Sequence, residues 1–161
     1  MRTPLWIPSE QRKRDANITR FMDAVNARRK LSLASYSDLY QWSVENIADF
    51  WAEVWDFAEI KSSKQFDSVV TDLSVFPGTK WFPGAKLNFA ENLLRFRDDH
   101  LAFIFIGETQ TSKHMTYAEL YDSVARLAHS LKESGVGVGD RVVGYMPNLI
   151  ETVVCMLAAA S

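Results

Sequence analysis

Cysteine is the scarcest residue of this chain: Cys155 stands alone, inside the apolar run TVVCMLAAA. A single cysteine excludes a disulfide framework within the chain. A lone thiol in such a run reads as a small buried hydrophobe in a reducing compartment, and no His or cation lies near it in sequence to activate it as a nucleophile. Charge of one sign is not in excess either. Lys and Arg total 18 and Asp and Glu 20, a net of −2, which lacks the clustered positive charge that nucleic acid requires. Long hydrophobic runs are missing. The longest candidate, LIETVVCMLAAAS, carries Glu151 and falls short of the ~20 apolar residues of a membrane span. The opening MRTPLWIPSEQRKRD contains no apolar stretch of signal-peptide length. These absences set the expectation of a cytosolic (cytoplasmic) chain with neither nucleic-acid nor membrane partners.

Catalytic signatures are equally sparse. His100, His114 and His129 have no neighbours at metal-ligand spacing, and each reads as a surface or packing histidine. There is no G-x-x-x-x-G-K-[ST] phosphate loop and no G-x-S-x-G elbow. Gly135, Gly137 and Gly139 suggest a dinucleotide fingerprint, but that motif follows a strand and opens a helix. Here the glycines follow a helix and lead into a strand, so a helix stop and a tight turn are expected. No carboxylate pair is placed by sequence at an acid/base site. Read from the residues alone, the chain offers no catalytic, cofactor-binding or metal-binding position.

What is present is a foldable chain. Its 161 residues are 47% apolar and 24% charged, and a chain of this length buries about two thirds of its unfolded surface. Repeats and low-complexity segments are absent. Over 15–30, Ile18, Phe21, Met22 and Val25 recur at helical spacing, with Arg28, Arg29 and Lys30 at the C-terminal end, where cations complement the helix dipole. Over 35–57, Ser35 with Asp38 marks a helix start and Asn46 with Asp49 repeats it. Ile47, Phe50, Trp51, Val54, Trp55 and Ala58 then form one wide apolar stripe, read as core packing in preference to a grip on a flat ligand. In KWFPGAKLNFAENLL, Pro83-Gly84 is a turn. Asn88 caps a short helix with Glu91 at its third position, Leu87, Ala90 and Leu94 share a face, and Asn92 breaks the hydrophobic staple.

From residue 101 the pattern changes. LAFIFIG reads as a buried strand, ETQTSK as a polar turn and HMTY as a return strand. Thr116 to Glu119 forms a capping box, with Met115 and Leu120 as its staple. The following helix turns Leu120, Val124, Leu127, Ala128 and Leu131 inward and stops at Gly135, with Val136 against Leu131. RVVGYM, 141–146, reads as a second strand, and Asn148 with Glu151 opens another helix. Strand, helix, strand, helix is the pattern of a parallel α/β sheet.

Three of these blocks, SYSDLYQWSVENIADFWAEVWDF, WFPGAKLNFAENLL and MTYAELYDSVARLAHSLKESGVGVGDRVVGYMPNLIETVVCMLAAAS, occur in an order that resembles the opening of the AMP-forming acyl-CoA synthetases, within the adenylate-forming superfamily. The first two narrow the likeness to the acetyl-, propionyl- and acetoacetyl-CoA branch, and LNFAENLL with DRVVGYMPN is most similar to its acetoacetate-using members. The resemblance implies an α/β fold: an N-terminal helical cap followed by the first βαβα units of the large domain, incomplete. It implies an N-terminal extension over 1–34, a helical segment with a linking strap over 35–92, and the truncated start of the AMP-binding domain over 93–161. It implies a ligase whose parent uses ATP, Mg and CoA on acetoacetate (acetate or propionate being the alternatives) in lipid metabolism, and whose missing remainder is the main partner. The family's phosphate loop, adenine segment, ribose-binding acid and catalytic lysine lie downstream, so no residue here inherits a catalytic or binding role and the chain alone is expected to be inactive. A non-catalytic interaction module is the rival reading. The strap's aromatics would anchor on the large domain, and the strands at 101 and 141 would leave apolar edges exposed.

Overall fold

The computed structural model describes residues 5–108 and 112–161; the first four residues and the centre of the ETQTSK turn lie outside that range. The chain divides into two units, Met1–Ile60 with Gln65–Ala85, and Lys61–Lys64 with Lys86–Ser161.

The first unit is helical: α1 (Glu10–Arg14), α2 (Asn17–Arg29), α3 (Tyr36–Glu45) and α4 (Ile47–Phe57). Ser9 caps α1, a five-residue helix that sequence reasoning misses because it has no apolar stripe. The Ser35 box on α3 forms in full, Ser35 Oγ accepting from Asp38 N while the Asp38 carboxylate accepts from Ser35 N at 2.9 Å. Hydrogen bonding to its carboxylate, from the Ser35 side chain first and then from the Ala34 backbone N–H, holds the Asp38 carboxyl below its ordinary range. Asn46 does not repeat the device: its Nδ2 donates back to Trp42 O, so it breaks the helix without capping the next. Phe21, Val25 and Leu39 are buried as the unit's core, with Met22, Trp42, Phe50 and Val54 packed against it. Ile18, on the same helical spacing, is 49% exposed.

Two features of this unit correct the sequence reading. The basic pair at the end of α2 does more than complement a dipole. Arg29 binds Glu53 Oε1 at 2.7 Å and Asp49 at 2.8 Å, and Arg28 reaches Glu53 Oε2 at 3.3 Å and Asp56 at 3.1 Å. Glu53 on α4 is 5% exposed, and its hydrogen bond is the main cause that raises the Arg29 pKa further. The strap aromatics, in turn, pack within this unit. Phe82 lies 4.7 Å from the Trp55 ring and 5.2 Å from Phe66, and Trp81 meets Trp51 edge-on at 5.7 Å. Phe82 takes φ +46, a left-handed conformation costing a non-glycine residue about 1–2 kcal/mol. The two ring contacts and its N–H bond to Val69 O at 2.7 Å hold it there.

The second unit contains α5 (Phe89–Leu93), β1 (Leu101–Phe105), β2 (Lys113–Thr116), α6 (Tyr117–Glu133) and α7 (Ile150–Ala160). Asn88 Oδ1 caps α5 by accepting from Glu91 N at 2.9 Å. Asn92 has a structural role of its own. Its amide exchanges two 2.9 Å bonds with the backbone of Lys61, clasping that segment to α5. Ala90 and Leu94 are buried, whereas Leu87 is exposed. The box at Thr116 is complete, Glu119 N donating to Thr116 Oγ1 at 3.2 Å and Thr116 N donating to Glu119 Oε2 at 2.8 Å. Its helix ends as a full Schellman motif: Val136 N donates to Leu131 O and Gly135 N to Lys132 O, both at 3.0 Å, with Gly135 at φ +86. Replacing Thr116 by Ala is expected to lower this unit's stability by about 1 kcal/mol, read as a shift in the urea midpoint followed by far-UV circular dichroism. A Thr116→Ser variant should keep most of the cap.

Leu120, Val124 and Ala128 of α6 and Ile150, Val154, Leu157 and Ala158 of α7 form the core with Ala90 and Leu94. Cys155, expected to be buried, is only half-buried. The cap of α7 also differs: Leu149, not Asn148, is the N-cap residue, and Thr152 Oγ1 donates to Pro147 O at 2.7 Å.

Candidate functional site: an open apolar face on the second unit

β1 and β2 pair antiparallel, with Phe103 opposite Met115, Ile104 opposite His114 and Phe105 opposite Lys113. An irregularity between Leu101 and Phe103 interrupts the alternation, so Ala102, Phe103, Phe105 and Met115 all pack against the α6–α7 core. The other side is open: Leu101, Ile104 and Ile106 are 52%, 61% and 78% exposed.

The sequence predicts a strand of a parallel ladder over 141–146. Among the described residues that segment pairs with nothing, and the one sheet is the antiparallel β1–β2 pair. A strand is stable only with neighbours to take its backbone hydrogen bonds and an apolar face to cover. RVVGYM has the side chains for that and lacks the neighbours: Val143 and Tyr145 stand fully in solvent, with Val142 and Met146 also exposed. Where β1 ends and α7 begins, a cavity of about 710 Å³ opens among Ile104, Phe105, Ile106, Glu108, Asn148 and Leu149. Contiguous exposed apolar surface of this kind marks an interaction site, and β1 and 142–146 each supply exposed apolar side chains.

No three His, Cys, Asp or Glu side chains among the described residues are placed to hold a metal ion. His100, His114 and His129 are all exposed. The shifted groups, Arg29, Asp38 and Asp72, owe their shifts to local ion pairs or turn hydrogen bonds. The glycine loop is a turn, Gly137 N donating to Asp140 Oδ2 at 2.8 Å and Asp140 N returning to Gly137 O at 3.1 Å. No helix among the described residues is long and apolar enough to cross a membrane.

Comparison with known proteins identifies the fold to which this open face belongs. Residues 36–93 match the family model for the acetyl-coenzyme A synthetase N-terminus, and residues 89–161 that of the AMP-binding enzymes. The chain is 45% identical over 161 residues to acetoacetyl-CoA synthetase of Gallus gallus and 37% identical over 158 residues to acetoacetyl-coenzyme A synthetase of Rhizobium meliloti (strain 1021). Each alignment covers 98% of this chain and 24% of the relative. The solved acetoacetyl-CoA synthetase from Streptomyces lividans superposes with a TM-score of 0.87 at 39% identity, over 99% of this chain and 25% of that one. The chain thus spans about a quarter of the length of the relatives it matches, and its mixed helix-and-strand fold, with one small open sheet, is that of a quarter of the solved enzyme. By sequence and by fold, these residues match the N-terminal part of the acetoacetyl-CoA synthetases.

Proposed function

We propose that these residues open an acetoacetate–CoA ligase of cytosolic lipid metabolism. In that reaction the carboxylate of acetoacetate attacks the α-phosphorus of ATP, the bond to diphosphate breaks, and the thiol of CoA then displaces AMP from the acyl-adenylate. ATP, Mg and CoA are cofactors and substrates of the whole protein, Mg supplying charge neutralisation at the triphosphate. No residue of this chain is assigned to them. The single observation carrying the reading is the likeness to acetoacetyl-CoA synthetases along almost the whole chain. The exposed apolar side chains of β1 and of 142–146 support a scaffold role for this portion, with the rest of the large domain continuing the sheet from them. We place the extension at 1–34, the helical segment and strap at 35–92, and the start of the AMP-binding domain from 93.

The test is AMP release by the natural polypeptide that contains these residues, supplied with ATP, Mg, CoA and one carboxylate at a time. Acetoacetate is expected to be used with a kcat/KM at least about tenfold above acetate or propionate, a discrimination of one or two specific contacts. Preference for acetate or propionate would move the assignment to another branch of the family. The rival reading, a non-catalytic module that self-associates through its open face, predicts no AMP release from that polypeptide with any of the three.

A further inference from the structure

Within the first unit, a cleft of about 520 Å³ opens between α1, α2 and the start of α3, a size in the range of small-molecule sites. Its floor is the outer end of the apolar stripe on α2. Phe21 and Val25 are covered by the core, but Ile18 is 49% exposed, and with Met22 and Leu39 it faces the cleft. α1 has only five residues and is too short to cover that end of the stripe. The rim carries Arg12, Lys13 and Arg14, and among the described residues no carboxylate lines the cleft. Lys13 is bridged to Glu10 at 2.6 Å and Arg14 donates to Gln11 at 2.8 Å. Arg12 lies over the Trp6 ring at 5.6 Å and has no carboxylate partner among the described residues.

We propose that this cleft binds a single-chain amphipathic anion: a carboxylate head group on an unbranched apolar tail of medium length. The tail lies on Ile18 and Met22, and the head meets the Arg12 guanidinium at the mouth. Charge complementarity selects an anion over a neutral amphiphile, and the apolar floor selects a tail over a small hydrophilic anion. The inference rests on the first unit alone and stands whether or not the ligase reading does.

Titration of the ¹⁵N-labelled 161-residue chain with decanoate, followed by amide chemical shifts, tests it. Saturable shifts are expected over residues 12–22 and 34–39, with decanol binding about fivefold more weakly, the scale of one exposed charge contact. Arg12→Ala should weaken decanoate by about the same factor and leave decanol unchanged. Ile18→Trp should fill the floor and abolish both. Arg12 is exposed, so its variant decides the matter even if Ile18→Trp perturbs the fold. Equal affinity for decanoate and decanol overturns the proposal, as do shifts confined to 101–106 and 142–146 or the absence of saturation. Saturable binding of an acidic amphipathic peptide in the cleft without any response to decanoate overturns the choice of ligand.

Discussion

Replacing Arg28 and Arg29 together by alanine lowers the stability of the first unit by about 3–5 kcal/mol, the cost of stripping the partners from a buried carboxylate. Glu53 is 5% exposed and takes bonds from both guanidinium groups, at 2.7 and 3.3 Å. Removing both leaves its charge in the interior between α2 and α4 with nothing to compensate desolvation. Asp49 and Asp56 lose partners too, but they are exposed and water takes over. The measurement is a urea titration followed by tryptophan fluorescence. All five tryptophans, Trp6, Trp42, Trp51, Trp55 and Trp81, lie in the first unit, so the signal reports on that unit. Adding Glu53→Leu to the double variant should return most of the loss, since an apolar group of similar size needs no partner there. A loss under about 1 kcal/mol, the scale of a surface pair, would mean that solvent reaches Glu53.

Trp55→Ala is the second large loss, about 3–5 kcal/mol for a buried aromatic removed from a packed site. Trp55 is 7% exposed and holds both Phe66, at 5.1 Å, and Phe82, at 4.7 Å. Its removal unseats the strap as well as emptying a cavity. Trp51→Ala should cost far less, because that ring is 40% exposed and keeps only edge contacts with Phe50 and Trp81. Phe82→Gly and Phe82→Ala separate ring packing from backbone strain. Both lose the ring, but glycine accepts φ +46 without penalty, so it should be the more stable of the two by about 1 kcal/mol. Equal losses for Trp51→Ala and Trp55→Ala would show that the strap is not seated on the buried ring.

The legible parts of this chain are those governed by local chemistry. Ser35–Asp38, Thr116–Glu119 and the Gly135 stop each announce themselves within a short stretch of sequence, because a helix end must satisfy its own backbone groups. The inward face of α6 follows from spacing, whereas on α4 the stripe places Trp55 correctly but not Trp51, which is exposed, and it omits the buried Glu53. Sequence reasoning fails where a distant residue decides the outcome. Arg28 and Arg29 read as dipole partners because Glu53 lies two helices away. Asn92 reads as a broken staple because its true partner, Lys61, is reached only by folding. Asn148 and Asn46 have cap chemistry, yet one is displaced by Leu149 and the other turns back to Trp42. RVVGYM carries strand propensity, but a strand is a property of a pair. The open face on the second unit is foreseeable from those apolar strands. The cationic cleft in the first is not, because it depends on how little of α2 a five-residue helix can cover.

The proposed division of labour makes these residues a scaffold with an open sheet face and no reacting groups. Its most direct test is acetoacetate-dependent exchange of labelled diphosphate into ATP by the purified 161-residue chain with Mg present. The expected result is exchange no greater than in a sample without protein. Exchange that appears with the chain, requires acetoacetate and persists in a repurified sample would contradict it, because the adenylate would then be forming on residues that serve only as scaffold.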